Sequence, residues 1–148
     1  MKKLLHYIYH FFYLALNWSP LLAIFITWHE AKRGSKYGIN TIKRTELKGL
    51  TIPEGDISKS SPYEAVNYYM LETLFENFRK LFPEEKSLTD LGCGKGRVLV
   101  VAAHYGFTDI TGIDFAKELC EEADRNVTTR KTDFPAVNFK IIWDDVIR

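Results

Sequence analysis

The sequence predicts an α/β fold built on a doubly wound parallel sheet, and three observations predict it. The glycine-rich run Asp90-Leu91-Gly92-Cys93-Gly94-Lys95-Gly96-Arg97 stands between a strand-like segment and an apolar helical one. Two further strand-like segments, residues 109–113 and 137–141, flank a helical stretch. Each of the three strands runs into an acid: Asp90, Asp114 and the pair Asp144-Asp145. Strand, helix, strand, helix, strand with short loops is the βαβαβ half of a doubly wound sheet.

In chain order, the first element is apolar. Lys2 and Lys3 precede residues 4–28, which contain no Asp, Glu, Lys or Arg. Asn17-Trp18-Ser19-Pro20 interrupts this stretch. Ser19 suits an N-cap and Pro20 a first helical position, so a second helix starts there and is expected to end at Gly34. Two helices of about 13 residues each fall short of the roughly 20 needed to span a bilayer. No small-x-small cleavage site follows the apolar run, which speaks against a secretory signal. Helices packed on the following domain, an interfacial hairpin and a membrane-crossing segment all stay open, and residues 1–33 are the candidate membrane-surface contact. Residues 1–50 hold eight Lys and Arg against two Glu, a net of +6, so the remainder carries −5 to give the total of +1. Residues 37–57, with Gly38, Gly49, Pro53 and Gly55, read as short strands or a covering loop. The domain boundary is placed at residue 59: an apolar and basic extension before it, a nucleotide-binding domain over 60–148.

Ser61, Pro62 and Glu64 match a capping box and predict a helix start, with Ser60 just before it. Val66, Met70, Leu74 and Phe78 then recur every four residues as the expected buried face. After the glycine-rich run, residues 98–103 predict a buried helix closed by Gly106. Leu119, Ala123 and Val127 mark the apolar face of the next helix, from Ala116 to about Thr129. Residues 137–141 alternate as a third strand running through Ile142 and Trp143.

Glycines at alternate positions let the loop adopt positive φ and let a ligand lie against the backbone. An acid two residues before the first glycine suits a nucleoside with a cationic tail better than a pyrophosphate. A dinucleotide fingerprint needs a further glycine where Arg97 stands, because that glycine permits close helix–strand approach. The Asp90–Arg97 run resembles the first motif of class I S-adenosylmethionine (SAM)-dependent methyltransferases, and the resemblance covers roughly residues 60–148. It implies a Rossmann-like fold, SAM as cofactor and a cofactor-binding loop of Asp90, Gly92, Cys93, Gly94 and Gly96.

Asp114 lies 22 residues after Gly92, where an acid can accept hydrogen bonds from both ribose hydroxyls. On this reading it serves the ligand and contributes little to the core. The resemblance gives the adenine-side contact to Asp144 or Asp145, of which Asp145, followed by apolar Val146, matches better. Phe115 is the candidate apolar wall for the adenine. Tyr63 and Asn67 are weaker candidates for lining the pocket. Cys93 and Cys120 form no C-x-x-C or metal spacing; two cysteines suit a reducing, cytoplasmic setting, and Cys93 reads as a packing residue. Lys95 and Arg97 are expected to be solvated or to meet substrate or the cofactor carboxylate.

The function expected is methyl transfer to an unidentified acceptor (small molecule, protein or RNA) with no metal and no assignable catalytic base. The alternatives are an NAD(P)/FAD-type oxidoreductase and a membrane-associated, non-catalytic nucleotide-binding protein. The resemblance further implies an incomplete, N-terminal cofactor-binding half, inactive alone and prone to associate.

Overall fold

The computed structural model describes residues 2–46, 48–52 and 61–145, with the side chains of residues 2 and 3 left out. Pro53, Gly55, Ser60 and Val146, each used in the sequence reading, lie outside the described residues.

Two helices, α1 (Lys2–Asn17) and α2 (Pro20–Tyr37), form an antiparallel hairpin. The break falls where Ser19 and Pro20 place it, with Ser19 extended and Pro20 opening α2. The end of α2 corrects the sequence reading: Gly34 lies inside the helix, and Gly38, with φ 65°, closes it. Gly34 serves the helix crossing instead, since a Cβ there would lie 2.7 Å from the Tyr7 hydroxyl. The helices are therefore 16 and 18 residues long rather than about 13. Among the described residues, no helix is long and apolar enough to cross a membrane.

Helix α3 (Tyr68–Leu81) starts later than the capping box at Ser61–Glu64 predicts. Tertiary contacts hold the preceding segment extended: Tyr63 and Thr45 exchange backbone hydrogen bonds at 2.9 and 3.2 Å, and the Val66 carbonyl accepts from Arg97. Asn67 becomes the N-cap, its side chain accepting from the Met70 amide at 2.9 Å. The buried face is also displaced. Tyr68, Leu71, Glu72 and Phe75 are buried, whereas Val66, Met70 and Leu74 are exposed. Charge sets this rotation: the Glu72 carboxylate binds Arg33 at 2.7 Å, Lys36 at 3.1 Å and the Tyr37 hydroxyl at 2.7 Å. Burial works against the ionised form of Glu72, yet those hydrogen bonds prevail and hold its pKa below the usual carboxylate value.

The remaining elements follow the predicted order: β1 (Ser87–Leu91), α4 (Arg97–His104), β2 (Asp109–Asp114), α5 (Lys117–Arg130), a short 3-10 turn and β3 (Asn138–Trp143). The strands form one parallel sheet in the order β1-β2-β3, with Asp90 opposite Gly112 and Asp114 opposite Trp143. Among the described residues, the outer edge of β1 has no partner strand. Helix α4 is buried from Leu99 to Ala103, and Gly106 follows it at φ 86°. Helix α5 buries Leu119, Cys120, Ala123 and Val127, including the residues its spacing selects.

The N-terminal hairpin packs on this unit through a buried ion pair. Glu30, 3% exposed, lies 2.9 Å from Arg97, also 3% exposed. The guanidinium additionally donates to the Thr41 hydroxyl and the Val66 carbonyl, both at 2.7 Å, and stacks over the Tyr68 ring at 4.0 Å. Losing one partner of such a pair strands a buried charge. Arg97→Met and Glu30→Gln should therefore each lower stability by about 3–5 kcal/mol. Replacing both residues by methionine should cost less than the two single changes together, as read by chemical denaturation.

Candidate active site

The glycine-rich loop is anchored to the end of β2. The Gly92 and Cys93 amides both donate to the Ile113 carbonyl, at 2.8 and 2.9 Å. The Gly94 amide donates to Asp114 Oδ2 at 2.8 Å, and the Ala116 amide to Asp114 Oδ1 at 2.9 Å. Asp114 thus ties three things together: the loop, the strand end and the entry to α5.

Between this loop and residues 61–66 lies a cleft of about 350 Å³, within the ~300–1,000 Å³ range of small-molecule sites. Asp90, Gly92, Asp114 and Phe115 line its floor; Tyr63 and Glu64 form part of the far side. Gly92, at φ 82°, has open space where a Cβ would stand, so a ligand can reach its backbone. Gly94 differs: the Tyr63 ring lies on it and leaves no room for a Cβ. Tyr63 donates to the Thr41 carbonyl at 3.1 Å, and burial pushes its phenol pKa up. Cys93 lines the cleft but is buried against Gly112, with its thiol pKa raised by burial and by the nearby Asp114 charge. It fits the packing role read from sequence. Gly96 caps α4 and backs onto Ala123.

Both cations of the loop are buried and paired, which corrects the expectation that they are solvated; Arg97 borders the cleft and Lys95 lies outside its lining. Lys95 is 2% exposed, with its ammonium 3.1 Å from both the Lys43 carbonyl and Glu122. Arg97 is spent on Glu30, Thr41 and Val66. Glu64 on the far side and two acids of the floor, Asp90 and Asp114, face the space. Burial, and then the neighbouring Asp114 charge, raise the Asp90 pKa to about 6. Burial also raises the Asp114 pKa, against the two amide hydrogen bonds that favour its ionised form. Asp144 and Asp145 lie just past β3, outside the cleft lining; the Asp144 amide donates to the Asp114 carbonyl at 3.1 Å. Trp143 Nε1 donates to the Phe115 carbonyl at 3.0 Å, which fixes the backbone of the wall residue.

A second cavity, about 280 Å³, adjoins the first and shares Glu64, Ala65 and Arg97 with it. Its other walls include His6, His10 and Tyr13 of α1, with Glu46 and Asn67 opposite. Burial lowers the His10 pKa below the usual imidazole value. The sequence reading missed Glu30 and this α1 wall. One signal was available: Glu30 is the only acid among the first 45 residues, set in an otherwise apolar and basic stretch.

The sequence model of the methyltransferase domain matches residues 89–142, the span from within β1 to within β3. This stretch is similar to the methyltransferase domain family. The chain is also similar to EEF1A lysine methyltransferase 2 of Danio rerio, at 36% identity over a 59-residue alignment. That alignment covers 34% of this chain and 25% of the relative, so the chain spans about a quarter of the relative's length. Among solved structures, the methyltransferase domain of bacterial CtHen1-C aligns at 26% identity, covering 49% of this chain and 38% of that one, with a TM-score of 0.39. WbdD aligns at 27% identity over 50% of this chain and 17% of its own, with a TM-score of 0.40.

The double role of Asp114 revises what its loss should do. With two buried amides left unpaired, Asp114→Ala should lower the stability of the ligand-free protein by about 1–3 kcal/mol rather than leave it unchanged. Asp114→Asn keeps one acceptor and should be milder. Thermal unfolding of the two variants without ligand checks this; an unaltered midpoint for the alanine variant would remove the structural role.

Proposed function

We propose that the chain is a SAM-dependent methyltransferase that holds the cofactor in the cleft beneath Tyr63. The observation that carries this reading is the sign of the charge there: three carboxylates, Glu64, Asp90 and Asp114, line the space, while Lys95 lies outside it and Arg97, on its border, is neutralised by Glu30. A pyrophosphate would meet repulsion from Asp90 and Asp114, and a ligand bearing an ammonium and a sulfonium would not. The residues present fit that group. Asp114 retains lone pairs for ribose hydroxyls, Gly92 leaves the backbone open, Phe115 offers an apolar wall, and Asp90 is available to the cationic tail. When bound, SAM supplies an electrophilic methyl on a sulfonium.

The chain's own contribution is to position and to exclude water. Transfer of a methyl is an in-line displacement, so alignment of the two partners supplies much of the rate. The adjoining cavity is the proposed acceptor chamber, because Glu64 and Ala65 border both spaces. His10, held neutral by burial, is the candidate proton acceptor in that chamber if the acceptor must lose a proton.

Titration calorimetry with S-adenosylhomocysteine, SAM and NAD tests the assignment. Binding of the two adenosyl ligands and none of NAD is expected; the reverse pattern would overturn it. Asp114→Ala should weaken adenosyl-ligand binding by roughly 2–4 kcal/mol.

Binding should also depend on pH through Asp90. Its protonated form cannot pair with an ammonium, and its pKa in the free protein is about 6. A cationic ligand favours the ionised carboxylate, so affinity should be full near pH 8 and fall as pH drops through 6. Asp90→Asn should weaken binding and flatten that profile. A flat wild-type profile between pH 5 and 8 would take Asp90 out of the site.

A further inference from the structure

The outer surface of the α1–α2 hairpin has no role in the cleft, and it is the most apolar exposed surface among the described residues. Ile8, Phe12 and Leu16 follow one another at helical spacing along α1, 46, 57 and 83% exposed. At the hairpin tip Trp18 is 73% exposed, and on α2 Leu21 and Trp28 are 80% and 55% exposed. Side chains this apolar are rarely left in water as one continuous patch.

Charge selects the occupant. The two helices carry Lys2, Lys3, Lys32, Arg33 and Lys36 against one acid, Glu30, which is buried on Arg97. Arg33 and Lys36 are paired with Glu72 of α3, and Lys32 is the exposed cation beside the apolar face. The cations gather at the end opposite the tip, where the start of α1 lies beside the end of α2. There Lys32 stands over the Trp28 ring at 4.9 Å, an aromatic and a cation together at the edge of the apolar face. An apolar face with tryptophans and a lysine at its edge matches an anionic lipid surface, and among the described residues no helix is long and apolar enough to cross it.

We propose that the exposed face of the α1–α2 hairpin seats on an anionic lipid bilayer, with both helices lying in the interface and the cleft facing away into water. This inference stands independently of the methyltransferase reading, because none of its exposed apolar residues lines the cleft.

The test is flotation of the full chain with phosphatidylcholine vesicles, with and without about 30% phosphatidylglycerol. The chain should rise with the anionic vesicles, with tryptophan emission shifted to the blue, and partition onto neutral ones about tenfold more weakly or less. The triple variant Leu16→Ser/Trp18→Ser/Leu21→Ser alters only exposed side chains, so it should keep its circular dichroism and unfolding midpoint while losing about tenfold or more of the partitioning. Three results would overturn the proposal. The folded wild-type chain could stay in the soluble fraction with both vesicle types. The triple variant could float as well as wild type. Sedimentation could show an oligomer that the triple substitution dissolves, with no vesicle binding, which would give the face to a second copy of the chain.

Discussion

Glu30 is where the separate parts of this chain meet. Its carboxylate binds the Arg97 guanidinium, and it accepts from the Tyr68 amide at 2.7 Å. Tyr68 is the first residue of α3 and Arg97 the first of α4, so one buried charge serves the N-terminal amide of one helix and the side chain that opens the other. The positive end of the α3 dipole reinforces the same attraction. Because the site is dry, the ion pair is strong only while every donor around it is used, and Thr41 and Val66 complete that set. The consequence reaches the cleft. Residues 61–66 stay extended in part because Arg97 holds the Val66 carbonyl, and Tyr63 can then lie across Gly94.

That geometry also explains the electrostatic character of the cleft. A sequence with Lys95 and Arg97 in the glycine-rich loop looks suited to anions. Folding reverses this, since both side chains are buried on acid partners, Glu122 and Glu30, that lie outside the cleft lining, and Asp90 and Asp114 face the space. Two acids near each other in a partly desolvated space resist ionisation together, which is why the Asp90 pKa rises. A cationic ligand relieves that strain; an anionic one adds to it.

Much of the fold was legible in the sequence because local rules and global packing agree there. The alternation of β3, the four-residue spacing in α5, the break at Ser19-Pro20 and the glycine closing α4 are each decided within a few residues of chain. The start of α3 shows the opposite case. Ser61, Pro62 and Glu64 satisfy every local rule for a helix start, yet the Thr45–Tyr63 bridge and the Arg97 bond to Val66 outweigh them. Gly34 reads as a helix end by composition, but its reason is the Tyr7 side chain crossing above it. The four-residue stripe on α3 is real as a pattern, and Glu72 turned its neighbouring face inward.

Taken by itself, the amino-acid sequence determined the parallel βαβαβ order, the loop that presents Gly92 to a ligand and the acids at the strand ends. These follow from backbone sterics and short-range periodicity, which act between residues close in the chain. Only the tertiary structure decided which acids face the cleft, that Asp114 also carries the loop, and that Lys95 and Arg97 are buried on acid partners. Those outcomes depend on partners between 20 and 67 residues away in the chain. A charged side chain shows its type in the sequence; which partner neutralises it is settled only when the chain closes around it.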